Sequence, residues 1–573
     1  MTDAPPNQAR PDPGDPRAPG AQPRGGRPRT KGPTTPRGIP LSQLGERDDR
    51  GISRLDIAWR AAEVLATRNR PPLPRWVDAA AVALLAVFLV AGTLAGLRAT
   101  PYGTAEAAQL ALVKDAGTLV TDPVALVPGG DTTQPAESLR LVQGAFTRYV
   151  SAAGWYAAGG RAGDVPSLPA GDPPPEHLLT AARIAPVLFT AAAVPVLFFL
   201  GLRLGGRRVA LIAVVAAFVH PSVLLAGRQV QDVGAVLAFG LGAVLVAVVV
   251  SERLAAGVNP GAGRWTALVV LCGFALAAGQ GALGFVGGAV AWVLAGFGES
   301  FLRNRRALLA AQPMPSTARN RTPPLGTPVR AITQPGRPLT PPGGTPKLVA
   351  ADAPDVPATL LPPGSLGSFG LSLAGAVLVW VAVSPSLWGW LPERLASRSA
   401  ERSALVTQGL LPDPGALGHA GALWRLVTGP FLDAPDQVPA EALSAGLPYT
   451  GWALPVAVVL ALATLAGVVL LAVAAAAGPE RRAEPRPVSF SLGAGRLRWL
   501  AARQIGRRDA VAFLGWLGVV AACAVAWPSE RSADRVPLVP VAALVAAVAV
   551  VVAVGWLTAA GRDVARRRLA RAA

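Results

Sequence analysis

The side chains best suited to chemistry are arginines at the borders of apolar segments. Arg183, Arg228 and Arg535 each lie within a few residues of the end of a long apolar stretch. A guanidinium in such a position can bind a phosphate group through two parallel hydrogen bonds. It can also extend to the polar side of a membrane interface and do nothing more. The residues alone leave both interpretations open.

Carboxylates supply the candidate proton acceptors. Glu106 and Asp115 lie in the polar segment 98–180, which follows the first apolar stretch. A carboxylate can accept the proton of a hydroxyl nucleophile, although a carboxylate in a polar segment is most often only solvated. Asp232 follows Arg228 by four residues, so these two form an ion pair if one helix carries both.

Metal-ligating and redox-active residues are scarce. Cys272 and Cys523 both lie within apolar segments, which provides neither a disulfide framework nor a thiolate metal site. The three histidines, His177, His220 and His419, form no H-x-x-H pattern. We therefore predict no metal site.

The elements that must position these residues are transmembrane helices. Of the 573 residues, 51% are hydrophobic and 15% are charged, whereas soluble domains carry about 25% charged residues. A helix needs about 20 apolar residues to cross the hydrocarbon core. This criterion predicts about ten spans, of which the short fifth and sixth could instead form one re-entrant pair. The predicted spans are 77–97, 183–203, 208–227, 231–251, 265–281, 283–301, 369–388, 451–477, 510–527 and 537–559.

The distribution of charge predicts the orientation. The chain has a net charge of +19, but the basic residues lie between apolar stretches and accompany no nucleic-acid-binding motif, so a nucleic-acid partner is disfavoured. Segments 302–365 and 478–508 each hold eight basic and two acidic residues. Segment 98–180 holds five basic and eight acidic residues, and 389–450 holds four and six. The positive-inside rule then places both termini in the cytoplasm and 98–180 and 389–450 outside.

The predicted organisation follows from these spans. The abundance of Ala, Gly, Pro and Arg with only three lysines is typical of a GC-rich bacterial genome, which predicts the bacterial cytoplasmic (inner) membrane. The segments are a disordered cytoplasmic tail (1–52), a juxtamembrane amphipathic helix (53–76), an N-terminal transmembrane core that includes the outer loop 98–180 (77–301), a Pro/Arg-rich cytoplasmic insert (302–365), a C-terminal transmembrane region that includes the outer loop 389–450 (366–561) and a basic cytoplasmic tail (562–573).

The stretch from Leu179 to Val250 carries a family resemblance. An arginine opens the second span, a short Gly/basic turn joins it to the third, and the third ends in a Pro-containing segment followed by an arginine and an aspartate. These features are Arg183, Leu204–Arg208, His220-Pro221, Arg228 and Asp232. The pattern resembles the core of the GT-C superfamily of lipid-carrier-dependent glycosyltransferases, which contains protein O-mannosyltransferases and aminoarabinose transferases.

Three positions depart from the family pattern. Family members carry an Asp-Glu pair early in the first outer loop, where this chain has Ala105 and Glu106. A lysine often occupies the turn after the fifth span, where this chain has Gln280. The late Arg-Tyr-x-x-Pro segment is matched by the segment that begins at Arg535, without the tyrosine.

The resemblance implies an all-α polytopic fold, a GT-C-like bundle of about ten transmembrane helices with two larger extracytoplasmic loops. It also implies transfer of a sugar from a polyprenyl-phosphate donor to a protein, lipid or glycan acceptor at the outer face of the membrane. The implied partners are therefore this donor, the acceptor and the surrounding membrane lipids. The implied catalytic base is Glu106, and the implied phosphate-binding residues are Arg228, Arg183 and Arg535. The implied supporting residues are Asp232, Gln280 and His220. No cofactor is specified, and a divalent cation stays open.

Two alternatives are retained. A GT-C scaffold that has lost catalysis and binds lipid or a partner fits the missing aspartate at Ala105 and the missing lysine at Gln280. A transporter or flippase is less favoured, because the spans show no clear repeat and contain few ionisable residues. The glycines near Gly240 and from Gly279 to Gly288 match no nucleotide-binding loop, so we predict that they let helices approach closely.

Overall fold

The computed structural model describes most of the chain from residue 75 onward. The described residues are 75–127 with gaps at 99, 101 and 103, then 135–166, 172–311, 359–407 with a gap at 390, then 421, 453–476, 505–526 and 537–572. The chain divides into two units, 1–78 and 79–573. The predicted tail 1–52 and most of the predicted juxtamembrane helix 53–76 lie outside the described residues, as does 312–358 of the predicted insert.

The described residues fold into fifteen α-helices and short 3₁₀ turns, without a β-strand among them. The helices are α1 (Arg75–Ala95), α2 (Thr104–Leu110), α3 (Asp115–Thr121), α4 (Pro135–Val142), α5 (Ala145–Ala157), α6 (Glu176–Phe218), α7 (Pro221–Ala226), α8 (Val233–Ala255), α9 (Ala262–Ala278), α10 (Ala282–Ala311), α11 (Ser365–Val383), α12 (Leu391–Thr407), α13 (Ala453–Ala476), α14 (Arg507–Ala526) and α15 (Leu538–Ala572).

Helix α6 is a hairpin with two arms. Gly206 has φ +80° inside it, a left-handed conformation that glycine adopts without steric cost. A Cβ at Gly201 would lie 2.7 Å from the Ala210 Cα, whereas nine residues of a straight helix span about 13.5 Å. The chain therefore reverses between these two residues, which confirms the turn predicted at Leu204–Arg208.

Six of the helices in the described ranges are long and apolar enough to cross a membrane. They are α6, α8, α10, α11, α13 and α15, and α9 and most of α1 are shorter apolar helices. The protein is thus an all-α chain with the helices of a membrane-embedded protein. Helices α9 and α10 are separate elements joined at Gly279–Gly281, and α10 continues to Ala311, ten residues beyond the predicted span.

Small residues bring the long helices together. Helix α10 packs against α8 and α14, while α15 packs against α6 and α13. A Cβ at Gly240 would lie 2.6 Å from the Phe285 ring, and one at Gly296 would lie 2.8 Å from the Ser251 Cα. A Cβ at Gly288 would overlap the Trp516 side chain. The predicted role of these glycines in close helix approach is confirmed at Gly240 and Gly288.

A layer of short helices covers one end of the bundle. This layer, which we call the cap, consists of α2 to α5 (104–157) and α12 (391–407), and α12 packs against α4 within it. The cap meets the bundle closely: a Cβ at Gly144 would overlap the Ala278 carbonyl oxygen at the end of α9. The segment predicted as an outer loop is therefore largely helical.

Aromatic side chains anchor the cap in the bundle. Phe146, at the start of α5, contacts Phe189, Phe239 and Phe274 with ring centroids 5.6, 5.2 and 5.2 Å away. These three phenylalanines belong to α6, α8 and α9. Edge-to-face aromatic pairs stabilise by about 0.5–1.5 kcal/mol beyond the area that they bury. One cap residue thus ties three bundle helices together.

Candidate functional site

Glu106, on the cap helix α2, and Arg183, on the first arm of α6, form a buried ion pair. Arg183 Nε donates to Glu106 Oε1 at 2.8 Å, and its Nη2 donates to Oε2 at 2.6 Å. The Arg183 side chain is 2% exposed and the Glu106 side chain is 0% exposed. This two-point geometry is the strongest form of an arginine–carboxylate contact. The resemblance named both residues, and the structure brings them into direct contact.

The rest of the pair's hydrogen-bonding capacity is met by backbone groups. Arg183 Nη1 donates to the carbonyl oxygens of Leu97 at 2.7 Å and Thr100 at 3.1 Å. The Val230 amide donates to Glu106 Oε1 at 2.9 Å. The pair therefore joins four parts of the chain: the end of α1, α2, the first arm of α6 and the turn before α8.

This environment constrains the role predicted for Glu106. Both of its oxygens accept hydrogen bonds, and the side chain has no solvent exposure. A general base must lie within hydrogen-bond reach of the proton that it accepts, directly or through one water. Glu106 can act in that way only if the cap opens and its contact with Arg183 loosens. The assignment of Glu106 as the base stays a prediction.

Arg228 contacts the same end of α1. Its Nη2 donates to the Gly92 carbonyl oxygen at 2.8 Å, and a Cβ at Gly96 would overlap its guanidinium. Arg228 is not on one helix with Asp232, because α7 ends at Ala226 and α8 begins at Val233. The helical i,i+4 pair considered for these two residues is therefore wrong, and the turn between the helices separates them.

Asp232 and Gln280 lie together at another edge of the cap. A Cβ at Gly279 would overlap Asp232 Oδ2, and Arg402 Nη1 donates to Gln280 Oε1 at 2.6 Å. The neighbouring Arg398 donates through Nη2 to the Val142 carbonyl oxygen at 2.9 Å. Burial and the adjacent Arg402 lower the pKa of Arg398 to about 10, while Asp232 acts in the opposite direction.

Sequence reasoning missed Arg398 and Arg402. Both belong to 389–450, which was predicted as a loop, so nothing in the local pattern placed them beside Gln280. The signal available was their spacing of four residues, which puts two side chains on one face of a helix. The resemblance implies a lysine at the position of Gln280, and Arg402 brings a cation to that position from a different element.

A second carboxylate–arginine cluster lies inside the cap. Arg140 donates to both Asp115 oxygens, at 2.9 and 2.8 Å, and Arg148 Nη1 lies 3.4 Å from Asp115 Oδ2. Asp115 and Arg148 are 1% and 2% exposed. Asp115, like Glu106, is thus a buried side chain that holds the cap together, and the expectation of a solvated loop carboxylate is wrong for both.

The remaining predicted residues have separate positions. His220, which the resemblance implies as a supporting residue, caps α7 by accepting the Ser222 amide at Nδ1 at 3.3 Å. Arg535 lies outside the described residues. Within the described ranges, no group of three His, Cys, Asp or Glu side chains is arranged to hold a metal ion.

The pKa values of the tyrosines reflect how deeply the cap buries these side chains. The chain has four, Tyr102, Tyr149, Tyr156 and Tyr449, and all belong to the two predicted outer loops. Burial and the charge of Glu106 raise the pKa of Tyr102 to about 12, and burial is the main cause that raises the pKa of Tyr149 and of Tyr156. Neutral phenol is favoured in the fold, so this contribution to stability is complete below pH 10 and is lost as pH rises toward 12.

We expect an alkaline titration to separate the folded and unfolded cap. Followed by phenolate absorbance, the native protein should ionise its described tyrosines above pH 10, with Tyr102 near pH 12, while protein unfolded in denaturant should ionise all four near pH 10. A native titration curve that coincides with the unfolded one would show that the tyrosines are solvated, contrary to the packed cap.

Comparisons with known proteins supply no family for the chain. No protein-family model matches it, and no curated protein matches it.

Proposed function

We propose that this protein is a membrane glycosyltransferase that moves a sugar from a polyprenyl-phosphate donor to an acceptor at the outer face of the bacterial cytoplasmic membrane. The observation that carries the proposal is the direct contact between Glu106 and Arg183 at 2.6 Å. The resemblance assigned these two residues to the acidic motif and to the start of the second span, 77 positions apart. Their contact in space is what a shared site requires.

The membrane arrangement is part of the same proposal. We propose ten spans: α1, the two arms of α6, α8 to α11 and α13 to α15. With the basic segments 302–365 and 478–508 in the cytoplasm, the cap faces outward. The donor phosphate would then lie at headgroup depth, near the end of α1 that Arg183 and Arg228 contact.

The chemistry requires a cation for the leaving phosphate and a base for the acceptor hydroxyl. Arg228 is the better placed cation, because its Nε has no hydrogen-bond partner among the described residues. Arg183 already directs three of its nitrogens to Glu106 and to backbone oxygens. Arg183 would therefore hold Glu106 in position, and Arg228 would bind the donor phosphate.

A second candidate is a catalytically degenerate scaffold that binds lipid or a partner protein. Two observations favour it: Ala105 occupies the place of the family's aspartate, and Glu106 is fully engaged within the fold. In that case the ion pair would serve only to attach the cap to the bundle.

Turnover of a synthetic donor distinguishes the two candidates. Purified protein in lipid nanodiscs would be incubated with a short polyprenyl-phosphate sugar and candidate acceptors, and release of polyprenyl phosphate would be followed by mass spectrometry. The proposal predicts release that depends on acceptor and enzyme concentration. Binding of the donor without release, under conditions in which a control glycosyltransferase is active, would favour the scaffold.

A further inference from the structure

Two arginines on α12 are brought together at the edge of the cap. Arg398 and Arg402 are four residues apart on α12, so they lie on one face of that helix. Arg398 donates a hydrogen bond to the Val142 carbonyl oxygen at the end of α4, and Arg402 donates one to Gln280 Oε1 in the turn between α9 and α10. The two guanidinium groups thus meet where α4, α12 and the 279–281 turn come together.

Among the described residues, positive charge exceeds negative charge around these two arginines. Asp232 is the carboxylate whose charge acts on Arg398. Glu401, a buried acid on α12, is engaged by Ser138, whose Oγ lies 2.5 Å from Oε2. Gln280 is neutral and serves Arg402 only as an acceptor. Among the described residues, Asp232 is therefore the carboxylate that offsets the charge of Arg398, which lies beside a second cation, Arg402.

Arg398 also has a hydrogen-bond donor that is not used. Arg398 Nε is buried and has no hydrogen-bond partner in the described part of the chain. A buried donor without a partner carries a free-energy cost, which is larger when the donor is charged. An anion that accepts from Arg398 Nε would relieve this cost and the repulsion between the two guanidinium groups together.

We propose that Arg398 and Arg402 form a binding site for a phosphate group, with Gln280 orienting Arg402. Tetrahedral phosphate oxygens match the donor geometry of two convergent guanidinium groups. The phosphate is either free in solution or carried by a lipid. This site lies on α12 and the 279–281 turn, whereas Arg183 and Arg228 contact the end of α1. The proposed site goes beyond the proposed function, and its test measures binding, which does not require sugar transfer.

Binding to two probes tests the site. Inorganic phosphate and farnesyl phosphate would be titrated separately against the full chain in nanodiscs of zwitterionic lipid, by calorimetry for the first and native mass spectrometry for the second. Each of Arg398→Gln and Arg402→Gln should weaken binding at least about tenfold, because each removes a charge-assisted hydrogen bond. Arg402→Lys should recover part of the affinity, since it restores the charge without the two-point geometry.

Arg161→Gln is the matched control. Arg161 is an exposed arginine near the cap, so its replacement removes the same charge without touching the site. Unchanged binding in this variant, with losses in the two α12 variants of equal thermal stability, supports the proposal. Farnesyl phosphate binding without inorganic phosphate binding identifies a lipid source, and binding of both identifies the phosphate group itself as the ligand.

Two results would overturn the proposal: wild-type protein that binds neither probe, or α12 variants that bind as tightly as wild type. If the phosphate site is confirmed and sugar transfer is absent, the proposed function fails alone. If transfer is observed and the α12 variants bind normally, this inference fails alone.

Discussion

Replacing Arg183 by methionine is expected to destabilise the protein by about 3–5 kcal/mol, the usual cost of breaking a buried ion pair by removing one partner. The variant leaves the Glu106 carboxylate fully buried, with only the Val230 amide still donating to it. Unfolding would be followed in detergent as the fraction of the protein that stays monodisperse on heating. The midpoint temperature of this transition should fall by several degrees.

A double-variant cycle isolates the pair itself. Glu106→Gln keeps an oxygen that can accept the Val230 amide, so the double variant Glu106→Gln/Arg183→Met should be more stable than the sum of the single losses implies. The exposed pair Arg98 and Glu176, whose Nε and Oε1 are 3.1 Å apart, is the control. Its side chains are 81% and 67% exposed, so the same substitutions there should have little effect. Equal midpoints for Arg183→Met and Arg98→Met would contradict a buried pair.

Gly144→Ala is expected to lift the cap from the bundle. The new methyl group would overlap the Ala278 carbonyl oxygen, which is backbone and cannot rotate away. Overpacking of this kind costs about 1–3 kcal/mol and occasionally more, and a backbone obstacle places this site at the upper end. The loss outweighs the gain of about 0.4–1 kcal/mol that alanine brings by restricting the unfolded chain.

Limited proteolysis and thermal unfolding would measure this effect. We expect faster cleavage between the cap helices in Gly144→Ala and a lower unfolding midpoint. Gly163→Ala is the control, because a Cβ at Gly163 meets no atom within 4 Å. A Gly144→Ala variant as protease-resistant as Gly163→Ala would show that the cap does not seat on the end of α9.

The long helices could be predicted from the sequence because each is specified locally. Apolar length identifies α8 and α15, and the basic, glycine-rich turn identifies the reversal at Gly206, which needs a positive φ. The end of α10 was predicted too early, since hydropathy stops at the first arginines whereas the helix-forming sequence continues to Ala311.

The cap could not be predicted in the same way. Its helices are short, and they are stabilised by partners far along the chain, as Glu106 is by Arg183 and Ser138 by Glu401. No local period reports such pairs, so Glu106 and Asp115 appeared as loop carboxylates. The candidate site was predicted in part: Glu106 with Arg183 came from the resemblance, while Arg398 and Arg402 needed the fold of α12 to become visible.

Sugar transfer by matched preparations of wild type and Glu106→Gln tests the central proposal most directly. Rates would be expressed per folded molecule, because the substitution also affects stability. We predict that the wild type transfers sugar and that the transfer rate of Glu106→Gln is lower by about 100-fold or more, the usual contribution of a positioned acid or base. Equal rates for the two proteins, or no transfer by the wild type beside an active control enzyme, would contradict it.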